Sequence, residues 1–309
     1  MKRTLEVGTD DEGRRLDQFV ARALSELSRS LVQRLISDGR VLVDSHPTKS
    51  GHRVRPGEVI RIDMVIPPSL SAAPQDIELR IVYEDEVMAV IDKPAGLVVH
   101  PAPGHPDGTL VNGLVRRYPA IAGSDEFRPG IVHRLDKDTS GLLVVALAPA
   151  AQLSLSRQLK ARTMHRRYTS LVWGDLRPDR GSIDIPVGRD RASRGRMAAG
   201  ADAIGARAAR TQYTVVERLR ELSLLDVVLE TGRTHQIRVH MAYIGHPVAG
   251  DKLYGGRGLP GLTRQFLHAA ELELSHPTTG TAVRFTSPLP PDLNLVLAAL
   301  IESEKVPRL

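Results

Sequence analysis

The sequence predicts a mixed α+β protein of two domains, a small α/β unit followed by a larger one built on a mixed, mostly antiparallel sheet. Three observations carry that expectation. Short β-like runs and helical periodicities follow one another without a regular βαβ spacing, and a proline-rich stretch divides the chain. In addition, the polar turn His133-Arg134-Leu135-Asp136-Lys137-Asp138-Thr139-Ser140-Gly141 opens directly into the apolar run Leu142 to Leu147. Such a run reads as a buried strand, and a turn held on a buried strand aims its side chains well.

A chain of 309 residues has ample length for a core. It has no cysteine, which removes disulfides, thiolate nucleophiles and Cys-based zinc or iron–sulfur centres. No apolar segment follows Met1-Lys2-Arg3, and apolar residues never run together for the roughly eighteen that a membrane helix needs. A cytoplasmic protein with no membrane partner is expected. Lys plus Arg number 42 against 36 Asp plus Glu, a net charge of +6. The excess is concentrated: Arg157 to Gly174 holds five basic residues and no acid, and Arg189 to Arg220 holds eight arginines against three acids. A surface for a polyanion and a merely solvated Arg-rich face both fit.

In chain order, Leu16, Phe19, Val20 and Leu24 predict one helix, and Leu31, Val32, Leu35 and Ile36 a second, with Ser28 or Ser30 as cap and Gly39 as stop. Val41 to Val43 and Glu58 to Asp63 follow as short strands. The segments "SRSLVQRLISDGRVLVD" and "VRPGEVIRI" resemble an S4 domain, a small RNA-binding module, placed over 1–66. That resemblance implies that Arg29, Arg34 and Arg40 touch RNA; by spacing alone they equally make a solvated helix face. The composition of 67–75 is that of a linker, and 76–309 forms the second domain. Strands are expected at Val87 to Ile91, Leu142 to Leu147, Tyr168 to Trp173, Gln212 to Glu217 and Leu222 to Glu230. Helices are expected at Thr109 to Tyr118, Ala150 to Ala161, Thr234 to Ile244 and Leu293 to Glu302.

There is no P-loop, no Gly-x-Ser-x-Gly elbow and no His-Glu-x-x-His; Gly256, Gly258 and Gly261 follow no hydrophobic strand and read as a flexible loop. His235 and His240 lie about 140° apart around a helix and cannot share a metal. No metal or cofactor is expected. Asp136 and Asp138, two positions apart, would suit a two-carboxylate glycosidase, but Asp138 reads better as a bracket of the turn through Thr139 and Ser140. A triad of His133, Asp136 and Ser140 is rejected, since triads are assembled from distant segments. In Leu229 to Asp251 a strand, a glycine turn and a helix capped by Thr234 fix Arg233 where the chain bends. Were its anion Asp136, the pair would hold that carboxylate ionised and aimed.

Four stretches, "HRLDKDTSGLLVVA", "LETGRTHQIRVHMAYIGHPVAGD", "IDKPAGLVVHPAPGHPDGTLVNGL" and "FLHAAELELSHPTTG", together resemble the RluA/RluD-type family of RNA pseudouridine synthases over nearly the whole chain. The resemblance implies a catalytic domain of pseudouridine synthase type and isomerisation of uridine in RNA, most readily large-subunit (23S) ribosomal RNA, with tRNA as an alternative. It places the catalytic aspartate on Asp136, the active-site tyrosine on Tyr168 and the motif arginine on Arg233. Arg134 or its neighbour His133 is then the side chain entering the RNA stack, Ile237 an apolar lid beside the base, and Arg166 the basic residue two before the tyrosine. A monomer acting on RNA without a cofactor is expected. The rival from another class is a non-catalytic RNA-binding or ribosome-assembly factor. Arg189 to Arg210 fits the family poorly and reads as a mobile loop that orders on RNA.

Overall fold

The computed structural model describes residues 2–24, 27, 29–63, 73–102, 104–123, 128–193 and 195–305; Ser28, residues 67–72 and the Arg34 side chain lie outside them. The chain divides into two compact units, Met1–Ser69 and Leu70–Leu309.

The first unit runs β1 (Lys2–Glu6), α1 (Leu16–Ala23), α2 (Arg29–Ser37), β2 (Val41–Val43), β3 (His46–Pro47) and β4 (Val59–Asp63). Its antiparallel sheet has the order β1-β4-β2-β3. The periodic residues of both helices, from Leu16, Phe19 and Val20 to Leu31, Val32, Leu35 and Ile36, are buried as their spacing requires. Gly39 ends α2 in the left-handed region, where the Arg40 N–H returns to the Leu35 carbonyl at 2.8 Å. Asp17 is fully buried and accepts from Arg15 and Arg29, each at 3.0 Å, and from Gln33 at 2.5 Å. Arg29 is thereby tethered, with half of its side chain still exposed.

The second unit continues with β5 (Ile81–Glu84), β6 (Met88–Lys93), α3 (Leu110–Arg117), β7 (Ser140–Ala146), α4 (Pro149–Ala161) and β8 (His165–Trp173). Then follow β9 (Arg180–Asp184), β10 (Val187–Arg189), β11 (Met197–Ala199), β12 (Ile204–Arg207), β13 (Arg210–Leu219) and β14 (Leu222–Leu229). It closes with α5 (Gln236–Tyr243), β15 (Leu267–Ser275), β16 (Ala282–Thr286) and α6 (Pro291–Lys305). The main sheet has the order β5-β6-β7-β15-β8-β14-β13-β9, with β16 beside β15. Only the β7–β15 pair within it is parallel, so the sheet is mixed and mostly antiparallel, as expected.

Alternation along β7 sends Leu143 and Val145 to a core shared with α3 and α5, and Leu142 and Val144 to one shared with α4. A strand covered on both faces needs apolar residues at every position, which is why 142–147 reads as one continuous run. A third cluster packs α6, through Leu293 and Val296, against Leu171, Leu222 and Phe266.

Three expectations are corrected. Residues 73–75, given to the linker for their composition, are tied to the second unit: Asn112 donates to the Ala73 carbonyl at 2.9 Å, and Gly108 N–H to the Gln75 side chain at 2.7 Å. Arg189 to Arg210 is not a loop but carries a three-stranded sheet, β11-β10-β12. What orders it is burial of Val187 and Ala209 with Val239 and Tyr254, together with the Met197 N–H donating to the Tyr254 hydroxyl at 2.9 Å. Gly256 is not there for flexibility: a Cβ on it would lie 1.8 Å from the Val248 carbonyl oxygen, so only glycine fits.

Candidate active site

Asp136 begins a turn closed by the Thr139 N–H donating to its carbonyl at 3.1 Å. The turn is fixed from below. Gly141 has φ +109°, and a Cβ there would sit 2.2 Å from the Ala269 carbonyl oxygen, so its glycine lets β7 and β15 run close together. Buried Arg264 donates to the Asp138 carbonyl at 3.0 Å and the Ser140 hydroxyl at 3.2 Å, and is itself held by Asp292 at 2.6 Å. Lys93, fully buried at the end of β6, donates to the carbonyls of Pro94, Leu97 and Lys137 at 2.8, 2.9 and 3.0 Å. Three acceptors match the three N–H bonds of an ammonium. Burial pushes this lysine down to about 7, while Asp136 and Asp138 pull the other way.

The Asp136 carboxylate is held by Arg238, not by Arg233. Arg238 Nη1 donates to Asp136 Oδ2 at 3.0 Å, and its Nε and Nη2 form a fork on Asp251 at 2.6 and 2.9 Å. Burial disfavours the guanidinium charge, but the bonds to Asp251 and the two carboxylate charges outweigh it and raise the Arg238 pKa. The Tyr254 ring lies 5.1 Å beneath the same guanidinium. The reason for the correction is the start of α5: the helix is entered through His235, which is left-handed at φ 56°, rather than through Thr234. This puts Arg238 on the inner face and leaves Arg233 in the turn, its Nε donating to the Ala208 carbonyl at 3.1 Å. Gln236 pins that turn, accepting from Thr231 and from the Arg233 N–H and donating to Arg210 and Thr211.

Asp136 borders a cavity of about 520 Å³ that brings together His133, Arg134, Arg166, Tyr168, Arg233 and Ile237. Tyr168 is 5 % and Ile237 3 % exposed, so both present apolar surface to the space. Burial raises the Tyr168 pKa, which keeps the hydroxyl protonated. Arg166 is buried beneath Gly232, where a Cβ would stand 2.6 Å from its Nη1. Arg134 is exposed. His133 is not positioned to leave the protein: it is buried, and its Nε2 accepts the Val144 N–H at 3.1 Å. Among the described residues no group of His, Asp and Glu is disposed to hold a metal ion.

Burial pushes His133 down to about 3 and His100 to about 4. The unfolded chain takes up these protons near pH 6.5 while the folded chain does not, so their stabilising effect is complete above about pH 6.5 and declines as pH falls. Each group is expected to contribute a slope of about 1.4 kcal/mol per pH unit below that point. Urea unfolding at pH 7.5 and pH 5 checks this: the loss on acidification should shrink in His133→Gln, and an equal loss in both proteins would contradict it.

Lys93, Arg238, Asp251 and Arg264 escaped the sequence reading. Arg238 stands three residues after His235, so a shared helical face was available as a signal. Nothing local announces Lys93 or Arg264, whose partners come from other segments.

A carboxylate held by a doubly anchored arginine, beside an aromatic in a cavity lined by several arginines, makes a site suited to an anionic substrate. The comparisons give the family. Residues 87–243 match the model of the RNA pseudouridylate synthase family, and 14–60 that of the S4 domain. A Chloroflexus aurantiacus protein described as an uncharacterized RNA pseudouridine synthase is 50 % identical over 97 % of this chain and 94 % of its own. The ribosomal large subunit pseudouridine synthase D of Pseudomonas aeruginosa is 45 % identical over 97 % and 96 %. The structure of human RNA pseudouridylate synthase domain containing 1 superimposes with a TM-score of 0.56 at 29 % identity, covering 78 % of this chain and 98 % of that one. The chain belongs to the RNA pseudouridine synthase family, with an S4 domain at its N-terminal end, and is an RNA-modifying isomerase. Among the described residues no helix is long and apolar enough to cross a membrane.

Proposed function

We propose that the protein isomerises uridines of large-subunit ribosomal RNA, acting as a cytoplasmic monomer without a cofactor, with Asp136 as nucleophile. The observation that carries the substrate is the 45 % identity, over nearly the full length of both chains, to a relative named for the large ribosomal subunit. In the reaction the C1′–N1 bond breaks, uracil turns, and C5 joins C1′; the C5 hydrogen leaves as a proton and N1 gains one. Asp136 attacks the extruded nucleotide, at the sugar or at C6, and departs when C5 is joined.

Arg238 is the group that aims Asp136, supported by its fork on Asp251. Tyr168 stacks on the uracil and Ile237 shields it, while Arg166 contacts the nucleotide inside the cavity. Arg134, exposed beside Asp136, fills the gap left in the RNA stack; unstacking costs a few kcal/mol, which contacts to phosphates offset. Residues 1–66 form the recognition domain, with Arg29, Arg34 and Arg40 on RNA, and 76–309 the catalytic domain.

Mapping pseudouridines in ribosomal and transfer RNA from cells with and without the protein tests the reading. Loss of sites in 23S RNA alone is the expected result. Loss only in tRNA would replace the substrate, and no change in any RNA would leave the assignment without support.

A further inference from the structure

The turn between β14 and α5 gathers more positive charge than its surroundings neutralise. Arg162 at the end of α4, Arg207 in β12, Arg210 in β13 and Arg233 in the turn itself come from four places in the chain. Glu230 stands among them, but it is shared by Arg162 at 3.5 Å and Arg210 at 3.7 Å, and accepts from Gln212 at 2.6 Å. Arg210 also lies 3.7 Å from Asp184. Among the described residues, Arg207 and Arg233 have no carboxylate within ion-pair distance; Arg233 is anchored to a backbone carbonyl, that of Ala208 next to Arg207.

Two features show that the crowding is built in. Gln236 makes four hydrogen bonds that keep the turn in place. Arg162 occupies the left-handed position at the end of α4, with φ 61°, where the backbone favours glycine. Burial, with the charges of Arg207 and Arg162, lowers the pKa of Arg233, as expected when like charges are held together. Arg162 and Arg233 line the rim of the Asp136 cavity. The Arg207 and Arg233 guanidiniums, left without carboxylates, match the paired oxygens of a phosphate, and Arg162 has only a share of Glu230 at 3.5 Å.

We propose that Arg162 and Arg233, which line the Asp136 cavity, form with Arg207, next to the Ala208 carbonyl that anchors Arg233, a phosphodiester-binding subsite holding the RNA backbone beside the nucleotide that enters the cavity. The inference rests on the RNA reading above, and it gives the small β10–β12 sheet a purpose, which is to bring Arg207 to the turn. The subsite reads no sequence, since phosphate contacts set register rather than base identity.

The test measures binding of in-vitro-transcribed 23S ribosomal RNA to full-length Asp136→Asn protein over a range of KCl concentrations. Arg162→Gly and Arg207→Gln are introduced singly on that background. Each phosphate contact contributes about 0.7–0.9 to the slope of log K against log salt. Each substitution is expected to flatten the slope by about that amount and to weaken binding about tenfold at 0.1 M KCl. Arg162→Gly should melt at or above the parent temperature, because glycine suits its backbone, so weaker binding by it cannot be ascribed to unfolding. An unchanged slope in both variants, whether affinity is kept or lost, overturns the subsite. Binding is read without turnover, so a wild-type protein that made no pseudouridine would refute the function while leaving this measurement intact.

Discussion

Arg238→Ala is expected to slow single-turnover pseudouridine formation at saturating RNA by about a hundredfold or more. The substitution removes the group that fixes the Asp136 carboxylate, and displacement of a reacting group by about 1 Å can cost that much. It also strands Asp251, whose side chain is 1 % exposed, so stability should fall by about 3–5 kcal/mol. The two effects are separated by working well below the melting temperature and by Arg238→Lys, which keeps the charge but loses the fork. Lys should recover more stability than rate. Arg233→Ala, by contrast, should act mainly on RNA affinity. If it slowed the saturated rate as much as Arg238→Ala, the assignment of the aiming role to Arg238 would be wrong.

The contrast between those two arginines shows what the sequence could and could not convey. The motif from Leu229 to Asp251 marked the segment that faces Asp136, and the helix in it lies close to its expected place. Choosing the arginine within it required knowing where the helix starts. Thr234 is a good N-cap by type, but the chain enters α5 through a left-handed His235, and the turn is held by the Gln236 side chain instead. A shift of this kind re-aims every following side chain, since each residue turns by about 100°.

Residues whose surroundings are local were legible. The stripes of α1 and α2, the buried run ahead of Leu147 and the turn before it depend on neighbours in sequence. Lys93 and Arg264 were not: one is held by carbonyls as far away as Lys137, the other by Asp138, Ser140 and Asp292. The arginine-rich stretch from 189 to 210 misled for the same reason. Its composition suggests mobility, and its order comes from Tyr254 and Val239 far along the chain. His133 belongs with these, because nothing beside it reveals that its ring accepts the Val144 N–H.

Asp136 is the proposed nucleophile of the isomerisation. When C5 of uracil is joined to C1′, the C5 hydrogen is released, so 23S ribosomal RNA transcribed with tritium at uridine C5 loses label to water in step with turnover. Wild-type protein is expected to release tritium with no added metal or cofactor. Asp136→Asn should retain the fold and RNA affinity and release label at least about ten-thousandfold more slowly, because amide nitrogen and oxygen cannot replace the carboxylate as nucleophile. Release by Asp136→Asn at the wild-type rate would rule out Asp136 as the nucleophile.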